Sequence, residues 1–360
     1  MIELKEGYAL EIIAEDEDIQ EILVFVDNKK EKAVCYVGLS GKVKVGDRLL
    51  LNTTAVTLSL GTGGFHFVVA NFNRPTQKLK GPGHIMKLRY TPMQLKCLSA
   101  EEEGSPHHHE VKNFQSLDEI PVVVGSLHSQ LLPIVAGIRA VNKNLKIAYL
   151  MSDQGALPLA FSKTVKILKQ KNWICGTVTF GHAFGGDLEA VNVYSALIMA
   201  KTSLKADVVV LTMGPGNVGT GTKWGSTALN QGEYLNAVKI LGGLPIMVPR
   251  VSFADFRERH YGLSHHSLTV IKEIALVEFF LPLVELRDLE KKNRLIEQTR
   301  SFPERVKIQY LQEIALEAIL KEERSNLSTM GRGFDEDREF FLTAAAGGVF
   351  AAKKCGGENG

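Results

Sequence analysis

The side chains best able to do chemistry concentrate in three stretches of the sequence. The densest is Arg250–Ser267, which gathers Arg250, Asp255, Arg257, Arg259, His260, His265 and His266. Ser264 suits the N-cap of a following helix and so puts His265 and His266 in its first turn. The positive end of the helix dipole disfavours imidazolium there. Both rings are then neutral, able to accept a proton or to bind a metal. Arginines beside the same helix start make a clamp for carboxylate or phosphate. A solvated, salt-bridged loop would use the same residue types, and Arg257-Glu258-Arg259 is an ordinary charged face.

The second stretch, Gly214–Gly225, carries Gly214, Gly216, Gly219 and Gly221 together with Thr220, Thr222 and Lys223. It holds neither GxxxxGK[ST] nor GxGxxG leading directly into a helix. Its glycines still let backbone N–H groups approach an anion in a concave nest. A long strand-to-helix crossover needing positive φ accounts for the same composition. The third stretch is Gly181–Glu189, where His182 follows a strand end and suits a general base or a ligand. Asp187 fits the N-cap of a helix starting at Leu188, with Glu189 in its first turn.

The catalytic candidates are therefore His182, His260, His265, His266 and Asp255. Asp153, in the Ser152–Gly155 loop, joins Arg250, Arg257, Arg259 and the Gly214–Thr222 backbone as candidate ligand-binding groups. A metal centre would draw on Asp187, His182 and His266, but no HExxH or HxH spacing supports one, and no cofactor signature is present. There is no GxSxG elbow. Cys35, Cys97, Cys175 and Cys355 lie far apart without a CxxC pair, which excludes a zinc knuckle and a disulfide framework. His107-His108-His109 sits in a polar connector and reads as solvated linker.

The elements that must position these groups change character along the chain. Up to about residue 100, short Val-, Ile- and Leu-rich runs are punctuated by turn signals such as Asp27-Asn28 and Gly46-Asp47. Strands are expected at Glu21–Val26, Lys32–Gly38, Gly41–Asp47, Arg48–Leu51, Ala55–Leu60, Phe65–Asn71 and His84–Tyr90. Glu101 to Glu110 reads as a breaker-containing connector. Beyond it, runs that are apolar throughout alternate with helical segments, the mark of βαβ units around a parallel sheet. Expected helices include Leu188–Leu204, Pro303–Arg324 and Asp335–Lys354. The fold class is α/β: an N-terminal all-β barrel-like domain (1–100), a connector (101–120), a Rossmann-like doubly wound parallel sheet (121–290) and C-terminal helices (291–360). The five candidate loops, Ser126–His128 included, then share the carboxyl edge of that sheet, where such folds bind ligands.

Composition narrows the classes. With 360 residues, 45% hydrophobic and 23% charged, the chain is neither disordered nor fibrous. Its 42 basic and 40 acidic residues give a formal charge of +2, so no global field favours nucleic acid or membrane. Locally, residues 72–100 hold no acid and six bases, Arg74, Lys78, Lys80, Lys87, Arg89 and Lys96. With Gly61–Phe67 they form a candidate basic binding face, for which a tight turn and ordinary surface lysines are the favoured account. The start lacks a signal peptide, and Ile274–Leu286 is too short and too charged to span a bilayer. A cytoplasmic protein is expected.

Motifs across nearly the whole chain carry a resemblance: Leu60–Gly64, Gly83–Pro92, Glu102–His107, Asp153–Pro158, Gly181–Asn192, Met213–Thr222, Arg257–His266 and Ser328–Gly333. In combination they resemble a bacterial family of unknown function, DUF3866. The resemblance implies a bacterial cytoplasmic setting and transfers no reaction, ligand or catalytic residue. Two functions stay open. One is an enzyme binding a small anionic metabolite, phosphorylated compounds included, at the sheet's carboxyl edge. The other is a non-catalytic ligand sensor, or an RNA- or protein-binding module acting through the basic barrel. Nucleic acid is the less favoured partner, no membrane is expected, and a homo-oligomer is open.

Overall fold

The computed structural model describes residues 1–60 and 63–355, so Gly61 and Thr62 of the Leu60–Gly64 motif lie outside the described residues. The chain divides into two compact units, Met1–Cys97 and Leu98–Gly360.

In the first unit, β1 (Leu4–Glu15), β2 (Ile19–Val26), β3 (Lys29–Tyr36), β4 (Arg48–Asn52) and β5 (Phe65–Asn71) close a barrel in the order β1-β2-β3-β5-β4. Alternation does the work: Ile22, Val24 and Val26 of β2 point inward against Ala33, Cys35, Leu49, Leu51 and Val68. Short helices α1 (Val37–Ser40) and α2 (Thr54–Thr57) join strands, and β6 (Ile85–Lys87) pairs with β7 (Leu95–Cys97) as a separate ribbon.

Two expected strands are absent. Gly41–Asp47 alternates Lys and Val, yet no strand pairs with it. The Gln20 amide satisfies Val43 instead, accepting from its N–H at 2.7 Å and donating to its carbonyl at 3.1 Å. Ala55–Leu60 falls half in α2 and half in the turn after it, and the Glu3 carboxylate fastens α2 by accepting from the Thr53 hydroxyl at 2.7 Å and from Thr57.

The second unit opens with α3 (His108–Lys112) and then alternates as expected. In order come β8 (Pro121–Gly125), α4 (Leu131–Val141), β9 (Ile147–Ser152), α5 (Lys163–Gln170), β10 (Gly176–Phe180), β11 (Leu188–Ala190), α6 (Val193–Thr202), β12 (Val208–Met213), α7 (Asn230–Ile240) and β13 (Leu244–Val248). A small ribbon of β14 (Val251–Ser252) and β15 (Gly262–Leu263) precedes α8 (His265–Thr269), which runs into a π turn over Val270–Ile274. The chain ends with β16 (Phe279–Glu285), α9 (Leu289–Thr299), β17 (Val306–Gln312), α10 (Glu313–Leu320) and α11 (Arg338–Cys355).

The eight-stranded sheet has the order β11-β10-β9-β12-β8-β13-β16-β17, with parallel neighbours throughout. β8, β9, β10 and β12 are buried at every position, which is why β8, β9 and β12 read as largely apolar runs. The chain leaves β8 in one direction for β9 and leaves β12 in the other for β13. Right-handed crossovers then set α4 and α7 on opposite faces. Their neighbours agree: α4 packs with α5, α10 and α11, and α7 with α6. The carboxyl ends of β12, β8 and β13 thus border a topological switch point.

Two expected helices are revised. Within Pro303–Arg324, Val306–Gln312 is the edge strand β17, because its alternating apolar residues extend the sheet beside β16. Within Leu188–Leu204, the first residues form β11 and the helix starts at Val193, capped by Asn192. The small-residue face of α11 packs on α4: a Cβ at Gly348 would stand 1.9 Å from the Ile134 carbonyl oxygen, and one at Gly137 2.4 Å from that of Ala345. Among the described residues no helix is long and apolar enough to cross a membrane.

Candidate functional site

At the switch point the loops after β8, β12 and β13 enclose a cavity of about 270 Å³. Ser126 and Leu127 reach it from β8, Asn217, Gly219 and Thr220 from β12, and Arg250, Arg257, Arg259, His260, Ser264, His266 and Ser267 from β13.

The arginines are ordered by one carboxylate. Asp255 is buried and accepts from Arg250 Nη2 at 2.8 Å, Arg257 Nη2 at 2.7 Å and Arg257 Nε at 2.9 Å. The Arg257 backbone N–H adds a bond of 3.1 Å. These donors, Arg257 foremost, hold the Asp255 carboxyl far below the ordinary carboxylate range. Asp255 is therefore a fixed anion that positions two cations, and it accepts no proton near neutrality. Burial pulls the Arg250 pKa down while Asp255 opposes the shift. Arg259 is exposed. Behind Arg250, the buried Asp337 accepts from the Ser252 hydroxyl at 2.8 Å and pairs with Arg332 at 2.9 Å.

Three histidines stand beside the arginines. His265 and His266 occupy the first turn of α8, their ring centroids 3.8 Å apart, and the His260 centroid is 5.0 Å from that of His265. Ser264 keeps the N-cap position but makes no side-chain cap bond, because its hydroxyl pairs with His260 Nδ1 at 2.8 Å. Burial pushes His260 down to about 3 and His266 to about 4, with Arg250 adding to both, and it lowers His265 as well. All three rings are neutral at physiological pH. His266 is 6% exposed, and both of its ring nitrogens lack a hydrogen-bond partner of normal geometry. Its Nε2 faces Gly219, where a Cβ would stand 3.4 Å away.

The glycine loop divides in function. A Cβ at Gly214 would stand 2.2 Å from the Ala156 carbonyl oxygen, one at Gly155 2.3 Å from that of Gly214, and Gly216 has φ +104°. These glycines let the loops after β9 and β12 close on one another. Thr222 bonds Thr220 at 2.8 Å inside its own loop, and a Cβ at Gly221 would meet open space. Only Gly219 and Thr220 of the loop's expected ligand groups reach the cavity.

The remaining candidates lie outside it. Asp153 Oδ2 accepts the His182 backbone N–H at 2.9 Å and stitches the β9 loop to the β10 loop. Asp187 caps no helix: it accepts from Thr177 N and Thr177 Oγ1, both at 2.8 Å, and from Lys169 Nζ at 2.7 Å. Glu189 lies in β11 and accepts from Thr179 Oγ1 at 2.6 Å and Gly185 N at 2.7 Å. Asp187, His182 and His266 do not converge. Among the described residues no three His, Cys, Asp or Glu side chains are placed to hold a metal ion.

Against known families, one match spans residues 32–348, the family described as protein of unknown function (DUF3866). The chain is a member of DUF3866. The matched span takes in every cavity residue, from Ser126 to Met330. No curated protein matches this DUF3866 chain.

Reasoning from sequence missed several lining groups in this DUF3866 member. Ser126, Asn217 and Ser264 are ordinary loop polars and Ser267 a serine of α8, none with a distinctive spacing. Met330 comes from far along the chain, its sulfur 3.9 Å from Arg250 Nη2. Nothing in Thr329-Met-Gly-Arg-Gly333 marks it in the sequence; the structure shows Met330 at φ +50°, a conformation uncommon for a residue with a side chain.

Proposed function

We propose that this DUF3866 protein is an enzyme that binds a small anionic metabolite in the switch-point cavity and uses His266, with His260 beside it, to move a proton. The observation that carries this reading is the buried His266, whose ring nitrogens make no hydrogen bond of normal geometry and have only the Lys223 backbone as a weak polar neighbour, set against arginines whose charge exceeds that of their carboxylate. Bare buried polar atoms cost stability, so a purely structural loop would be expected to satisfy or replace them. A neutral imidazole in an arginine-lined pocket meets the requirement for a base acting on an anionic substrate. The cavity lies just below the roughly 300–1,000 Å³ typical of drug-sized ligands, which suits a small metabolite.

The reading of the barrel as a nucleic-acid module has less support. Arg74 is committed to Asp47 at 2.8 Å, Lys87 is 0% exposed, and Lys96 donates to the carbonyls of Gly81 and Pro82. Half of the six bases therefore serve the barrel unit itself. A cytoplasmic setting fits the four free cysteines.

Thermal-shift screening of a metabolite library separates the outcomes. Stabilisation by anionic compounds in the native protein, retained by His266→Gln while turnover of the hit compound is lost, supports the reading. A library in which no anion stabilises the native protein sinks it.

A further inference from the structure

The cavity's charge balance and donor geometry say which kind of anion it takes, an inference that rests on the anion-binding reading above. Arg250, Arg257 and Arg259 line the cavity against one carboxylate, Asp255, so three positive charges less one negative leave +2. Of the neighbouring charges, Arg332 pairs with Asp337 at 2.9 Å and Arg294 with Glu258, and the further acid beside Arg294, Glu297, is exposed to solvent. The histidines contribute none while neutral. A monoanion would leave one cation of a half-enclosed site uncompensated, whereas a dianion balances it.

Geometry separates dianions of different shape. A carboxylate is planar and is best held by the coplanar Nε–Nη2 fork of an arginine. That fork is already filled at Arg257, whose Nε and Nη2 take both oxygens of Asp255 at 2.9 and 2.7 Å. Arg250 also spends its Nη2 on Asp255. What remains is one whole fork, at the exposed Arg259, and single donors arriving from separate loops, so a dicarboxylate dianion finds a fork for only one of its two planar groups. Arg259 and the rest of Arg250 come from the β13 loop. Asn217, whose Oδ1 is taken by Thr227 at 2.9 Å, keeps its Nδ2, while the Ser126 hydroxyl of the β8 loop donates to Gln130 Oε1 at 3.4 Å and must turn from it to reach a ligand. Scattered donors of this kind match the three outward oxygens of a tetrahedral group.

We propose that the cavity takes a phosphoryl dianion, as the free ion or as the end of a small phosphomonoester, and not a carboxylate. The organic remainder of such an ester then lies within reach of His266, the bare base of the same wall.

The test is titration of the full chain, by calorimetry and thermal shift, with inorganic phosphate, phenyl phosphate and malonate at matched ionic strength. Malonate carries the same charge in planar groups. Binding by phosphate or phenyl phosphate without binding by malonate is the expected result. Phenyl phosphate binding more tightly than the free ion identifies an ester site, and the reverse identifies a site for the ion itself. In Arg259→Gln, changed at an exposed position, phosphate affinity should fall roughly tenfold or more. Malonate binding as tightly as phosphate overturns the phosphoryl assignment while leaving an anion site. Phosphate affinity unchanged in Arg259→Gln places the ion elsewhere and also overturns it. No binding by any of the three removes the anion site itself.

Discussion

The loops that follow β10 and β13 leave the same edge of the same sheet, and both carry histidine and acid. After β10, the acids are spent on the strand they follow and on exposed neighbours: Asp187 holds the N–H and hydroxyl of Thr177 and pairs with Lys169, and Glu189 holds the Thr179 hydroxyl and the Gly185 N–H. After β13, the acid is buried between two arginines, and His266 makes no hydrogen bond of normal geometry in a buried wall. Burial separates the two acids as well, the Asp187 side chain being 45% exposed and that of Asp255 1%. Residue type therefore does not mark a site at this edge. What marks it is polar capacity left unspent in a place where water cannot satisfy it.

The sharpest way to break this comparison is to remove each acid. Asp255→Ala leaves Arg250 buried without its counter-charge, and loss of one partner from a buried pair costs about 3–5 kcal/mol. Chemical denaturation of the variant should reveal a loss in that range. A loss below about 1 kcal/mol would mean that solvent already screens Arg250, and the +2 of the cavity would carry little weight.

A second effect is acid sensitivity. His260 and His266 have folded pKa values near 3 and 4, below the ordinary 6.5 of an unfolded chain, so between these limits the unfolded state binds more protons. Their contribution is intact above about pH 6.5 and is lost as pH falls toward 4, at up to about 1.4 kcal/mol per pH unit for each ring. His128 acts in the same sense, burial holding it near 4, while the raised carboxyl of Asp337 acts in the opposite one. Substituting His266 by Gln should therefore flatten the decline between pH 6.5 and 5 by about 2 kcal/mol at most. An unchanged slope would show that the ring already titrates normally in the fold.

How much of this was legible follows from the same accounting. The parallel sheet is legible because β8, β9 and β12 are apolar throughout, and the arginine–histidine group because one loop supplies it. Alternation alone misleads at Gly41–Asp47, where a distant Gln20 amide does a strand's work, whereas at β17 the Val306, Ile308 and Tyr310 alternation is a true strand signal hidden by the helical run Glu313–Leu320 that follows it. The separation of His182 and Asp153 from the cavity is not legible, since it depends on which loops close together. Met330 is invisible for the same reason.

The β10 loop supplies a milder prediction. Asp187→Ala frees Thr177, a residue 0% exposed, from two bonds, and an unmade bond at a buried group costs about 1–3 kcal/mol. Because the Asp187 side chain is half exposed, water replaces part of the loss and about 1 kcal/mol is expected. Anion binding in the cavity should not change, because Asp187 is no part of its wall. Weakened phosphate binding in this variant would show that the two loops act as one site.

The smallest change in stability is expected where the functional claim is strongest. His266→Phe at pH 7.5 removes two buried nitrogens that make no hydrogen bond of normal geometry and replaces a ring with a ring. Deleting unsatisfied polar atoms favours the variant, and the added ring volume against Gly219 opposes it. The two should nearly cancel, leaving stability within about 1 kcal/mol of the native protein. Gly219 matters to that balance, since its missing Cβ is the space into which the larger ring must grow. A residue this cheap to replace and this costly to leave bare is difficult to explain by folding alone. If His266→Phe instead loses 3 kcal/mol or more, on the order of a broken buried network, the ring is a packing element and the two loops differ less than their hydrogen bonds suggest.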